Sequence, residues 1–306
     1  MKRSIVTARR LGAVALACLV AVGPASVASA TCAPAAGRDY VALGDSYASA
    51  PGVPDQTDPA CGRSNRNYPS LVAGKQNARL TDVTCAGATT VELAVSRDGR
   101  RAQYDALTRG TDLVTVSIGG NDGVGFSAVL KTCALLSRDD PSGAPCRSHY
   151  TTGGGDRLEE GIAATAPKVD AVLDTIHRRS PHAKVLLVGY PSIFPDDGTG
   201  CTSPAVPFAA GDFAYLRDTT KALNAMLARR AQQGRAVYVD TYTPTIGHDM
   251  CRPAGLRWIE NLAPADPAAA AHPTARGEQA MAEAVSRALT CPSAHTEGAS
   301  PAARRP

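Results

Sequence analysis

Four short segments carry side chains that could do nucleophilic chemistry. In "YVALGDSYASAPG" (40–52) an apolar run stops at Gly44-Asp45 and presents Ser46. "TCAGATT" (84–90) places Gly87 just past a second short run, and "SIGGND" (117–122) ends a third at Asn121 and Asp122. Far downstream, "HPTARG" (272–277) sets His272 immediately before a helical stretch. A serine hydroxyl is a poor nucleophile until a base takes its proton, and a neutral imidazole does this near neutral pH. Attack on a carbonyl develops an oxyanion, which backbone N–H groups and an amide side chain bind without reorganising. Each segment alone also has a bland reading. Gly44-Asp45-Ser46 by itself is an ordinary turn, and Asp45 reads as a structural hydrogen-bonding residue.

The surrounding elements decide whether these segments can meet. Apolar runs at 39–44, 79–85, 111–120, 183–191 and 235–242 predict strands. The third and fourth are nearly all apolar, as in strands buried on both faces of a parallel sheet. Helical spacing predicts helices over 156–180, 213–234 and 274–289, the first capped by Asp156 and closed by Arg178, Arg179 and Pro181. Strands alternating with helices imply an α/β sandwich around a parallel five-stranded sheet. Ligands bind such sheets at the carboxyl ends of the strands, where Ser46, Gly87 and Asn121 would lie. Segments 50–67, 138–155 and 192–211, rich in Pro, Gly, Ser and Asp, read as long loops.

In this order and context, Gly44-Asp45-Ser46-Tyr47, Gly87, Gly120-Asn121-Asp122 and His272-Pro273 resemble the four blocks of the SGNH (GDSL) hydrolases. With the cysteine-bearing loops and "GHDMC" (247–251), the chain is most similar to secreted actinobacterial lipases and esterases of that family. The resemblance implies a flavodoxin-like three-layer α/β/α fold with Ser46 and His272 as catalytic pair. It further implies an oxyanion hole from the amides of Ser46 and Gly87 and the side chain of Asn121. That family usually carries an aspartate three residues before the histidine, where this chain has Ala269. Two acceptors could then orient the imidazole: the backbone carbonyl of Ala269, or the carboxylate of Asp266 folding back across Pro267. The carbonyl is favoured, because a proline restricts that turn.

The remaining features bound the setting. Lys2, Arg3, Arg9 and Arg10, an apolar run 11–22 and Ala28-Ser29-Ala30 predict a secretory signal peptide over 1–30 and export from the cell. Without its four basic residues, 28 basic and 28 acidic residues remain, so the charge balance points to neither nucleic acid nor anionic membrane. No later run approaches a membrane span. Past Cys18, eight cysteines remain, an even number that reads as a disulfide framework in an exported chain. CxxC and HExxH are absent, which argues against zinc. Eight cysteines allow 105 connectivities. Resemblance to the secreted relatives implies Cys61–Cys85 and Cys201–Cys251, and Cys133–Cys146 also has short loop closure in its favour. Cys32 and Cys291 remain to join the chain ends. The hydrolase domain is expected over 31–291, with a disordered tail over 292–306.

The expected activity is hydrolysis of carboxylic esters through an acyl-enzyme on Ser46, with no metal or organic cofactor. Lipid glycerides, phospholipids and simple fatty esters are the expected substrates, and a monomer the expected state. The alternatives are an acetyl-polysaccharide esterase of the same fold and a non-catalytic carbohydrate- or lipid-binding module.

Overall fold

The short apolar runs become the strands of one sheet in a computed structural model that describes residues 37–96 and 99–290. The expected leader, the tail and the Cys32–Cys291 bond lie outside the described residues.

Among the described residues there are seven strands: β1 (Asp39–Gly44), β2 (Gln56–Asp58), β3 (Arg63–Ser64), β4 (Arg79–Asp82), β5 (Leu113–Ser117), β6 (Lys184–Val188) and β7 (Val237–Val239). Five form an all-parallel sheet in the order β4-β1-β5-β6-β7, while β2 and β3 pair as a small antiparallel hairpin. In register, Tyr40 of β1 lies beside Leu80 of β4 and Leu113 of β5. Every residue of β5 is buried, as a strand covered on both faces requires. Its polar Thr115 and Ser117 are hydrogen-bonded by the hydroxyls of Tyr40 (2.7 Å) and Tyr68 (3.1 Å).

The helices are α1 (Ser46–Ser49), α2 (Tyr68–Gln76), α3 (Phe126–Leu136), α4 (Pro145–Tyr150), α5 (Arg157–Arg179), α6 (Phe213–Gln233) and α7 (Ala275–Leu289). The chain leaves β1 through α2 in one direction, then runs β5-α5-β6-α6-β7 in the other. Right-handed crossovers therefore put α2 on one face and α5 with α6 on the other, and α7 packs beside α2. Asp156 caps α5, accepting from the N–H groups of Leu158 (2.8 Å) and Glu159 (3.3 Å). The stripe Val169, Val172, Leu173 and Ile176 is buried. Burial of such side chains contributes about 1.5–3 kcal/mol each.

Several elements differ from the sequence expectation. β1 spans its apolar run, 39–44, whereas β4, β5, β6 and β7 are shorter than theirs, because the sheet ladder ends where the chain turns into the rim. Helix α4 lies inside 138–155, and the β2–β3 hairpin inside 50–67. Helices α2 and α3 were not expected. The first lacks a continuous apolar stripe, and the second buries Phe126, Val129, Leu130 and Cys133 in a short, mostly apolar run whose pattern a buried strand would share. Disulfides join Cys61 to Cys85, Cys133 to Cys146 and Cys201 to Cys251, the pairs the family resemblance implies. His177 bonds through its ring to the Gly234 carbonyl at 2.8 Å.

Candidate active site

Strand order reverses between β1 and β5, so their carboxyl ends leave a crevice between diverging connections. β1 ends at Gly44 with φ +145°, and a Cβ there would sit 2.6 Å from the Ser117 carbonyl oxygen. Only glycine allows β1 to run this close to β5. The buried Gln103 amide clamps Gly44 twice, accepting its N–H (2.8 Å) and donating to its carbonyl (3.0 Å). Asp45 follows as the cap of α1, accepting the Tyr47 N–H at 3.0 Å. Ser46 is thereby the first residue of α1, 9 % exposed, at a cavity of about 520 Å³.

Asn121 follows β5 and lines the same cavity. Its Nδ2 donates to the Ala88 carbonyl at 3.1 Å, which orients the amide and leaves its second N–H unspent. The neighbouring Asp122 accepts the Thr90 hydroxyl (2.6 Å) and N–H (3.0 Å), tying segment 85–90 to the end of β5. Gly87 sits in that segment at φ +78°, exposed and outside the cavity lining proper. Among the described residues, no protein group accepts from the N–H of Ser46 or of Gly87.

His272 arrives from the far end of the chain. The stretch 258–260 runs alongside 271–274: the Glu260 N–H donates to the His272 carbonyl (2.8 Å), Ala271 N–H to Glu260 (3.1 Å), and Thr274 N–H to Trp258 (2.8 Å). Buried Glu260 also accepts from the N–H groups of Asn261, Ala265 and Asp266, and it ion-pairs with Arg257. The loop leans on the segment after α1, where Ala269 N–H donates to Pro51 (2.8 Å). The Tyr47 hydroxyl donates to the Ala271 carbonyl at 2.7 Å, bracing a non-glycine residue at φ +60°.

The imidazole is oriented differently from the sequence expectation. Nδ1 bonds to the carbonyl of Ala270, at 2.7 Å, rather than that of Ala269. The Ala269 carbonyl is engaged by the His272 backbone N–H at 3.2 Å, closing a turn, so the next carbonyl faces the ring. Asp266 points elsewhere and accepts the Gly255 N–H at 3.3 Å. Burial lowers the His272 pKa below the ordinary 6.5, with the Ala270 carbonyl pulling it back up. The ring is thus held neutral near pH 7, with Nε2 the nitrogen not taken by the loop.

Tyr190, just past β6, joins these parts although the sequence did not single it out. Its hydroxyl donates to Asp45 at 2.6 Å and accepts the Gly120 N–H at 2.8 Å. Its backbone is held at both ends by Asn224, each bond 2.8 Å. Burial pushes the Asp45 carboxyl from 3.8 up to about 7, against the Tyr190 hydroxyl and Tyr47 N–H, which favour its charge. Its position beyond a strand end was the available signal; Glu260, in an irregular stretch, had none. Beyond these groups the wall is mostly apolar, formed by Phe126, Leu130, Ala134, Leu135, Ile193 and Leu262, with Ser127, Lys131 and Arg138 as its other polar side chains. Ser46, Asn121 and His272 line one cleft together with an apolar wall that suits a hydrocarbon chain. Among the described residues no cluster of three or more His, Cys, Asp or Glu is placed to hold a metal ion.

Comparison with known proteins follows the same lines. Residues 42–280 match the GDSL-like Lipase/Acylhydrolase family. The chain is 40 % identical over 282 residues to Lipase 2 of Streptomyces coelicolor, spanning 90 % of this chain and 93 % of that protein. Among solved structures, it resembles an extracellular lipase from Streptomyces rimosus with a TM-score of 0.67 and 30 % identity, covering 83 % of this chain and all of the other. It also resembles phospholipase A1 from Streptomyces albidoflavus NA297, with a TM-score of 0.67 and 27 % identity, covering 83 % of this chain and 99 % of the other.

Proposed function

Starting from a chain that belongs to the GDSL-like lipase/acylhydrolase family and is a carboxylic ester hydrolase, we propose that Ser46 is its nucleophile and His272 its general base. The observation that supports this reading is that Ser46, Asn121 and His272, from distant parts of the chain, line a single cleft. Nε2 of the neutral imidazole takes the Ser46 proton as Oγ attacks the ester carbonyl. The oxyanion is held by the N–H groups of Ser46 and Gly87 and by the second N–H of the Asn121 amide. His272 then protonates the departing alcohol, water enters, and the acyl-enzyme is hydrolysed by the same steps in reverse. The Ala270 carbonyl fixes the tautomer throughout, stabilising imidazolium less than a carboxylate would.

The substrate is a lipid or fatty-acyl ester, with the acyl chain along the Phe126–Leu130–Ala134 wall. The apolar lining and the similarity to lipases and a phospholipase support this. The protein acts outside the cell after release from a leader over 1–30, a reading supported by the basic-apolar start and the extracellular relative. The test is labelling by a fluorophosphonate probe together with turnover of nitrophenyl esters of graded chain length. Wild type is expected to label and to favour acyl chains longer than acetyl. Ser46→Ala is expected to keep its melting temperature, lose labelling and lose several orders of magnitude in turnover. Strict acetyl preference would instead favour a polysaccharide deacetylase, and labelling retained in Ser46→Ala would remove Ser46 as the nucleophile.

A further inference from the structure

Two cations at the rim of the cleft have no role in the chemistry above. Lys131 and Arg138 both line the cavity and both are exposed. They are seven residues apart on and just beyond α3, which brings them to one face about 10 Å apart along the axis. Among the described residues neither side chain makes a hydrogen bond or an ion pair. Arg63, beside another cavity, differs: it is spent on Asp58 (3.0 Å) and the Thr84 carbonyl (2.8 Å). The nearby acids do not neutralise the pair. Asp140 is turned back onto the Gly143 N–H at 2.9 Å, and neither it nor Asp139 lines the cavity. Among the described residues the only acid that does is Asp45, buried and held by Tyr190. The exposed charge of the cleft is therefore all positive.

The helix that presents these cations is fixed. Cys133 of α3 is bonded to Cys146 of α4, and the Ser137 hydroxyl donates to the Pro207 carbonyl at 2.6 Å. Its inner face supplies Phe126, Leu130 and Ala134 to the dry wall, while Lys131 and Arg138 stand at the wet edge. An acyl chain gains by burial against the wall, whereas a charged group must stay hydrated or be paired. A substrate that fits both is an ester with an apolar acyl chain and an anionic alcohol part.

We propose that Lys131 and Arg138 form an anion-binding subsite for the head group of the substrate, so that the cleft selects acyl esters whose alcohol carries a negative charge, a phosphodiester foremost. This rests on Ser46 being the nucleophile of the same cleft. Charge-assisted contacts of this kind are strong enough to sort substrates, and exposure makes them sensitive to salt.

The test compares kcat/KM for dihexanoyl phosphatidylglycerol with that for neutral dihexanoylglycerol, both below their micellar concentrations. Wild type is expected to favour the anionic ester, with the ratio falling as salt rises. In Lys131→Gln with Arg138→Gln the ratio is expected to fall at least tenfold, while Lys131→Arg keeps it. A ratio unchanged in the double variant overturns the subsite. So does a preference seen only on anionic vesicles, which would make the pair a membrane-surface contact. Nitrophenyl butyrate turnover by wild type and Ser46→Ala, run beside these, reports on the nucleophile alone. Turnover retained in Ser46→Ala would fault the catalytic assignment, not the charge preference.

Discussion

His272 is the residue on which the mechanism depends most. Its ring is oriented by a neutral carbonyl, Ala270, and the nearest upstream carboxylate, Asp266, is spent on Gly255. A carbonyl fixes which nitrogen carries the proton but adds no charge to steady imidazolium. Asp266→Ala is therefore expected to lower turnover less than tenfold, while His272→Ala removes nearly all of it. Loss of a true triad carboxylate costs about ten-thousandfold. Steady-state turnover of both variants on one ester decides the matter, and a collapse in both would make Asp266 the third member.

Elements meet at this site through buried hydrogen bonds rather than through the sheet ladder alone. Tyr190 ties the end of β6 to Asp45 after β1 and to Gly120 after β5. Asp122 ties the end of β5 to Thr90, and so to the Gly87 segment. Tyr190→Phe keeps the ring packed against Tyr47 but leaves the Gly120 N–H and Asp45 short of a partner. Each buried group left unpaired costs about 1–3 kcal/mol. The variant is expected to melt lower and to lose kcat more than KM, because the Asn121 amide shifts relative to Ser46. Calorimetry and steady-state kinetics check this, and an unchanged kcat would show that the clamp serves stability only.

At the scale of the whole molecule, buried carboxyls give stability an unusual dependence on pH. Burial raises Asp45 to about 7 and raises Asp82 and Glu278 as well. A carboxyl raised in the folded state holds a proton that the unfolded chain releases. Its contribution is fully present below the unfolded pKa and is lost as pH rises through the folded one. For Asp45 the window runs from about 4 to about 7, and the shift corresponds to at most roughly 4 kcal/mol. His272 works the other way: its lowered pKa removes stability as pH falls below the ordinary 6.5. Asp45→Asn removes one term, so its stability relative to wild type is expected to rise between pH 5 and pH 8. Denaturant unfolding at both values measures this, and a constant difference would mean Asp45 does not titrate there. The acid limb of kcat/KM is expected below pH 6.5, since His272 must be neutral to act.

Local pattern was enough for much of this protein. Alternating apolar runs and helical stripes define strands and helices by their own periodicity, and the position of Ser46, Gly87 and Asn121 at strand ends follows from connectivity. α3 was invisible because an apolar helix and a buried strand share the same pattern over a short run. The rest depended on contacts between residues far apart in the chain. Whether Ala269 or Ala270 faces the imidazole turns on a single hydrogen bond in the turn before His272. Tyr190 meets Asp45 across 145 residues, and Tyr47 meets Ala271 across 224. Periodicity records which face of an element is dry. The aim of a hydroxyl or carbonyl is set by the neighbours that packing brings to it, and only the tertiary structure holds those.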